Sequence, residues 1–367
     1  MTTMLAVRAH SSDAPLVLEE IPVPKPGPRD VLVKVASAGL VAGNIRLLLA
    51  GMFKNLPTTV GHESAGTIVA VGDEVTGIEI GDRVRVHGVL TCGECRHCRA
   101  DRDMMCPKYA ISGHAAFGTA PMPLYDEYHN GGLAEYIRVP RWLVDKLPDS
   151  VSFDIAAKVH DLANALRTVK CANLEFGSTI VVTAASGTMG TATVKLAEHL
   201  GVGRMILVGR NAKRLEAVAQ LSGSVPVDTL SFSELPDDWV RTGGLTRRLR
   251  EMAPEGIDGV IDYLTDHAEG VSQAMMATTH GGTLVHMGGN LVPIAIPPLL
   301  MMTNCWRFVG TRGISRSDAT QILRMLASGA LNVDELITHR FPLTDAVKAA
   351  EAILRREEPM WMTVINP

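Results

Sequence analysis

Ser178-Thr-Ile-Val-Val-Thr183 leads directly into Ala184-Ala-Ser-Gly-Thr-Met-Gly190, and a helical pattern follows over 191–200. The six residues 178–183 form an apolar run of strand length. Such a run suits a strand covered on both faces. The turn fits Gly-x-Gly-x-x-Gly, with Ala185 in the first place and Gly187 and Gly190 in the other two. Small residues are needed there because the backbone approaches a pyrophosphate closely and the phosphates rest on a helix N-terminus. Strand, turn and helix in that order predict a dinucleotide site at Ala185, Ser186, Gly187, Thr188, Met189 and Gly190.

The alternation continues on both sides of this stretch. Strands are predicted at 205–209, 259–263 and 282–287, and helices at 155–170, 213–221 and 268–278. Strands alternating with helices predict an α/β fold with a doubly wound parallel sheet. Residues 222–256 are polar, carry a weak helix at 245–252, and read as surface. Upstream the chain reads as short strands broken by glycine and proline. Val31-Leu-Val-Lys-Val35 alternates like a half-buried strand, and 64–71 and 81–86 add two more. Pro22, Pro24, Pro26 and Pro28 keep the lead-in extended. The predicted division is a β-rich domain over 1–152, a dinucleotide-binding domain over 153–293, and a return to the first domain over 294–367.

The end of the second strand of the sheet discriminates between dinucleotides. An acidic residue there would bind the ribose 2′-hydroxyl of NAD. This chain has Gly209-Arg210-Asn211 instead, with Lys213 and Arg214 close behind. Glycine leaves room, and an arginine offers a planar fork to a 2′-phosphate. NADP(H) is the predicted cofactor, with Gly209, Arg210, Asn211 and Arg214 at its phosphate.

Four cysteines stand close together as Cys92-Gly-Glu-Cys95-Arg-His-Cys98-(x7)-Cys106. Two-residue gaps let successive thiolates turn onto one cation, and the longer return supplies a fourth corner. That is the spacing of a closed structural zinc site, which has no open position for chemistry. Cys171 and Cys305 are left over and read as small buried hydrophobes.

The bulk numbers exclude several classes. The chain has 367 residues, 46% hydrophobic and 20% charged, with 34 glycines and 20 prolines, as in a soluble two-domain globular protein. A net charge of −4 without a basic run argues against nucleic-acid or membrane-surface partners. No signal-peptide pattern opens the chain and no apolar stretch reaches membrane length. Six cysteines, four of them committed to metal, suit a reducing cytoplasm.

Together, Gly61-His62-Glu63, the four-cysteine lobe at about 90–110, Gly132-Leu-Ala-Glu-Tyr136, the dinucleotide turn and Thr338-His-Arg-Phe-Pro-Leu343 resemble the zinc-containing alcohol dehydrogenases of the medium-chain dehydrogenase/reductase (MDR) superfamily. The resemblance covers nearly the whole chain. It implies a GroES-like catalytic domain, a Rossmann domain, an active site in the cleft between them, and a homodimer or homotetramer. It also implies that His286, Met287 and Gly288 lie at the nicotinamide end, with Thr311-Arg-Gly313 near the same pocket, and that Arg340 contacts the cofactor pyrophosphate.

In that family a catalytic zinc is held by a cysteine, the histidine of Gly-His-Glu, and a later cysteine or carboxylate. His62 matches the histidine, and Glu63 can approach the metal. Asp161 is the expected late ligand, with His160 its competitor. The first ligand is missing. Where the family runs Gly-x-Cys-(Gly/Arg)-(Ser/Thr)-Asp-x-His, this chain has Gly39-Leu-Val41-Ala-Gly43-Asn44-Ile-Arg46. Cysteine is replaced by Val41, the relay hydroxyl by Gly43, aspartate by Asn44 and the relay histidine by Arg46.

The predicted activity is therefore NADPH-dependent reduction of an activated C=C, C=N or C=O on a small apolar molecule, without a normal catalytic zinc. Val41, Gly43, Met301 and Met302 suggest a roomy apolar pocket. Tyr109, His114, Tyr125, Asp126 and His129 are candidate proton donors, each also readable as a surface-loop residue, and the 113–132 insertion is expected to border the substrate. Arg46 could bind an anionic group. Two alternatives stay open. One is an alcohol or aldehyde dehydrogenase that holds a second zinc through His62, Glu63 and Asp161. The other is a non-catalytic NADPH-binding protein.

Overall fold

The computed structural model describes residues 2–355 and 360–367. The chain divides into two compact units, 1–160 with 313–367, and 161–312. Among the described residues no helix is long and apolar enough to cross a membrane.

The first unit is built around the strand Asp30–Leu40. One of its edges pairs with Glu63–Val71. The other pairs first with Tyr136–Pro140 and then with Met362–Asn366. Arg83–His87, Val144–Lys146 and Ile337–Pro342 complete the seven-stranded sheet. The half-buried alternation expected at 31–35 is not what the strand shows. Val31, Leu32 and Val33 are all buried, because this strand is central and its bulges turn successive residues inward. A short ladder, Val89–Leu90 against Ala110–Ile111, brackets the cysteine lobe.

The second unit is a six-stranded sheet whose pairings are all parallel. Its order is Val227–Ser231, Val202–Gly209, Ser178–Thr183, Gly259–Asp262, Thr283–His286, Arg307–Gly310. The chain enters at the centre, winds to one edge, then returns to fill the other side. The order therefore reverses between Ser178–Thr183 and Gly259–Asp262.

Three sequence expectations change here. Residues 222–256 are more than surface. They contain the edge strand Val227–Ser231 and a helix, Gly244–Met252, whose Leu245 and Leu249 are fully buried. The parallel sheet runs past 293, because Arg307–Gly310 adds a sixth strand. That strand is short and largely exposed, so no apolar run marks it in the sequence. Cys305 is exposed, at the end of a turn with φ of 53°.

Buried ionic groups are concentrated in the first unit. Arg85 is fully buried, donates to Asp145 at 2.7 Å, and lies 3.5 Å from Nδ1 of the buried His87. Burial, with the charges of Arg85 and Arg316, holds the His87 imidazole well below 6.5. Unfolding restores an ordinary histidine, so the unfolded chain binds the extra proton. His87 therefore contributes stability above about pH 6.5 that is lost as pH falls. We expect wild type to lose stability from pH 7.5 to 5.5, and His87→Gln to lose about 1 kcal/mol less, measured by urea unfolding at both pH values.

Candidate active site

The segment that departs from the family's metal-binding pattern folds as the end of the central strand and the helix Ala42–Leu49. Val41 caps that helix in an extended conformation, and Asn44 lies buried in its first turn. One amide nitrogen of Asn44 serves two partners. Its Nδ2 donates to the Gly113 carbonyl at 3.0 Å and lies 3.1 Å from His62 Nδ1. An amide nitrogen has hydrogens to give and no lone pair. His62 Nδ1 is therefore an acceptor, and the proton of the neutral ring sits on Nε2.

Burial, then the neighbouring His114, His160 and Lys158, hold His62 well below its usual value. His114 and His160 lie edge-on to it, with ring centroids 4.7 and 4.8 Å away. Burial lowers His114 to about 4 and His160 to about 3. All three imidazoles are neutral near pH 7.

Glu63 follows His62 and opens the next strand. Its carboxylate pairs with the Lys158 ammonium at 2.5 Å, and neither side chain is exposed. Gly39 makes this possible, since a Cβ there would lie 2.0 Å from Glu63 Oε2. The role of Lys158 is not visible in the sequence pattern. It is one of two lysines in the helix Phe153–Ala172, and Asp154 and Asp161 stand four residues before and three after it, so the sequence offers nearer partners than Glu63.

These residues do not fit a catalytic zinc. Val41 has no donor atom. A zinc-binding histidine gives its other ring N–H to an acceptor and turns a lone pair to the metal. At His62 the lone pair faces Asn44 instead. The carboxylate of Glu63 is neutralised by an ammonium. Among the described residues, the four cysteine sulfurs are the one set of three or more His, Cys, Asp or Glu ligand atoms that converges. Of the two late candidates, His160 is the one edge-on to His62. Asp161 is buried in the second unit.

The cysteine lobe does fit a zinc. Sulfur separations are 3.9 Å for Cys92–Cys98, 3.6 Å for Cys95–Cys98 and 3.6 Å for Cys106–Cys92. A tetrahedron with Zn–S of about 2.3 Å sets sulfurs about 3.8 Å apart. Backbone N–H groups of Cys95, Cys92 and Lys108 point at sulfur, as thiolates require. The N–H of Cys98 draws the Cys95 thiol down to about 7.

The other sequence candidates separate. Tyr109 is not a surface residue. It is fully buried, and its hydroxyl occupies the place a Cβ on Gly313 would take, 1.9 Å away. Tyr125 is also in the core, donates to the His114 carbonyl at 2.7 Å, and is raised to about 12 by burial. His114 is buried too. His129 Nδ1 contacts Thr58 Oγ1 at 3.0 Å. Arg46 and Asp126 are exposed. The cavity beside Val41, Asn44 and His62 measures about 10 Å³, barely one water, so the first unit by itself holds no roomy pocket there.

In the second unit the dinucleotide turn has the expected shape. Ala184 adopts φ of 47°, and the helix Thr188–Leu196 starts at Gly187. A Cβ on Gly190 would meet the Ala185 carbonyl at 2.5 Å, so glycine lets the helix pack onto the turn. Ser186, Gly187 and Met189 stay partly exposed. Arg210 is exposed, in loose contact with Asp266 at 3.9 Å. Asn211 caps the following helix by accepting from the Arg214 N–H. His286 Nδ1 is bound to Asp262, and Met287 Sδ lies 3.6 Å from Thr168 Oγ1. A Cβ on Gly288 would meet the Leu264 carbonyl at 2.0 Å. Arg340, in the first unit, pairs with Asp154 at 2.7 Å.

Comparison with known proteins agrees with this architecture. Residues 27–149 match the alcohol dehydrogenase GroES-like domain, and 188–328 match the zinc-binding dehydrogenase family. An L-threonine 3-dehydrogenase of Francisella philomiragia is 27% identical over 91% of this chain and 92% of its own. A structure from Sinorhizobium meliloti 1021, described as a zinc-binding dehydrogenase bound to NADP, is 26% identical, with full coverage of both chains and a TM-score of 0.84. An alcohol dehydrogenase from Thermus sp. ATN1 is 25% identical over 99% of both chains, with a TM-score of 0.82.

Removing one partner of the buried pair should be costly. Lys158→Met is expected to destabilise by about 3–5 kcal/mol in urea unfolding, because the buried Glu63 carboxylate loses its ammonium countercharge. Lys158→Met with Glu63→Leu should recover most of that loss.

Proposed function

The chain belongs to the zinc-containing medium-chain dehydrogenase/reductase family, and we propose that it is an NADPH-dependent reductase with a structural zinc and no catalytic one. The acceptor is an activated C=C, C=N or C=O on a small, largely apolar molecule. One observation carries this reading. Asn44 gives a hydrogen to His62 Nδ1, so the imidazole has no free lone pair to offer a metal. Val41 and the Lys158–Glu63 pair support it. Without a Lewis acid to polarise it, the acceptor must itself be electrophilic, which favours enones, quinones and iminium ions.

Bound NADPH supplies the hydride. Ser186, Gly187, Thr188, Met189 and Gly190 present a helix N-terminus to the pyrophosphate. Arg210, which follows a strand end that carries no acid, is the residue we assign to the 2′-phosphate. Cys92, Cys95, Cys98 and Cys106 would hold the structural zinc, which fixes their lobe. We also assign a homo-oligomer. The outer edge of Arg307–Gly310 ends the parallel sheet, and Leu291, Val292, Leu299, Met302 and Phe308 are exposed in the same part of the chain. A second copy would cover such an edge.

The deciding measurement is zinc per chain on protein purified without added metal or chelator. One per chain is expected, together with NADPH oxidation on an enone, quinone and iminium panel. Two per chain would return the chemistry to a metal-dependent alcohol or aldehyde dehydrogenase. Separately, Arg210→Asp should weaken NADPH by about tenfold or more, since a charge-assisted contact is lost, and leave NADH binding nearly unchanged. Equal loss for both would remove the phosphate assignment.

A further inference from the structure

The carboxyl ends of the parallel strands carry a polar constellation that this reading does not yet use. Thr183, Asp262 and His286 are the last residues of three strands adjacent in the sheet, Ser178–Thr183, Gly259–Asp262 and Thr283–His286. They flank the point where the strand order reverses. Doubly wound sheets bind their ligands outside the carboxyl ends at that point.

Asp262 has no exposed surface. One of its oxygens accepts the Thr183 hydroxyl, the other meets His286 Nδ1, and the Leu264 N–H adds a contact at 3.4 Å. Thr183 Oγ1 in turn accepts the Tyr263 N–H at 3.2 Å. A carboxylate only accepts, so His286 carries a hydrogen on Nδ1. Nε2, across the ring, is the nitrogen left to exchange a proton. The His286 side chain keeps 16% exposure and is backed by Phe308, with centroids 6.3 Å apart. The candidate donors of the first unit compare poorly. Tyr109, His114 and Tyr125 are buried, and the Tyr125 hydroxyl is spent on a carbonyl.

We propose that His286, oriented by Asp262 and Thr183, is the acid that protonates the acceptor during reduction. The proposal rests on the NADPH-dependent reductase reading above. For an enone or aldehyde, carbon takes a hydride, with its electron pair, from NADPH, which is oxidised. The π pair moves onto oxygen. That oxygen takes the proton from Nε2 of the doubly protonated ring as the N–H bond breaks. Water then returns a proton to Nε2. His286 is the catalytic residue. Asp262 and Thr183 are positioning residues that fix the ring and its tautomer.

The test begins with binding. NADPH fluorescence is titrated for wild type, His286→Ala and Asp262→Asn, and His286 is footprinted with diethyl pyrocarbonate with and without NADPH. We expect NADPH to protect His286, and rates are compared at NADPH concentrations that saturate each protein in the fluorescence titration. Reduction of cyclohex-2-enone and trans-2-hexenal by His286→Ala should then fall about 10²-fold or more, and by Asp262→Asn about tenfold. Added imidazole should restore part of the His286→Ala rate, which a residue serving only in packing would not allow. Equal labelling of His286 with and without NADPH overturns the proposal. So does a His286→Ala rate within about threefold of wild type. A wild type that binds no NADPH, or binds it and reduces neither probe, instead overturns the reductase reading and takes this step with it.

Discussion

The buried ion pair between Lys158 and Glu63 is the constraint around which the first unit is arranged. It links three elements, since Glu63 begins one strand, Gly39 of the central strand vacates the space for its carboxylate, and Lys158 projects from the helix Phe153–Ala172. A charge with no exposed surface is tolerated only when a partner and hydrogen bonds replace water. The geometry of His62, one residue before Glu63, is held with it. Metal chemistry at this place would need the carboxylate and the imidazole to face a cation. Here the ammonium already fills the role of countercharge.

The two units divide their chemistry in a consistent way. The first holds a neutral imidazole cluster, three buried tyrosines and a cavity of about 10 Å³, and its buried charges are already paired within the fold. The second keeps its polar groups at strand ends, where a histidine retains partial exposure and a buried carboxylate stands behind it. Proton traffic is easier in the second setting, because a group that changes charge must be able to meet solvent or substrate.

Much of this was legible in the chain itself. The strand, turn and helix at 178–200 carry their own pattern, since apolar strands and small-residue turns are local features. The cysteine spacing likewise encodes the sulfur cluster. Strand Arg307–Gly310 was not legible, because a short exposed edge strand has little apolar signal. Val227–Ser231 was missed because its flanks are polar, although it extends the sheet. At the site, the replacements at Val41, Gly43, Asn44 and Arg46 could be read directly. The partners of the replacements could not. Lys158 lies 95 positions from Glu63, and Asp262 lies 24 from His286. Such contacts exist only after folding, and a residue list gives no reason to couple them. Tyr109 and Tyr125 read as loop residues because position between strands suggests exposure, whereas both side chains are buried, and Tyr125 lies in the short helix Pro123–Tyr128.

Asn44 and an aspartate would have the same heavy-atom outline, differing by nitrogen for oxygen at one end of the side chain. What separates them is a hydrogen, and with it which face of the His62 ring carries a lone pair. Proteins of superposable shape can therefore sit on opposite sides of a chemical divide that backbone similarity does not register. An electron-density map at ordinary resolution would not register it either, because the two side chains scatter almost alike. The quantity to observe is a proton's position, which belongs to nitrogen-15 spectroscopy or neutron diffraction.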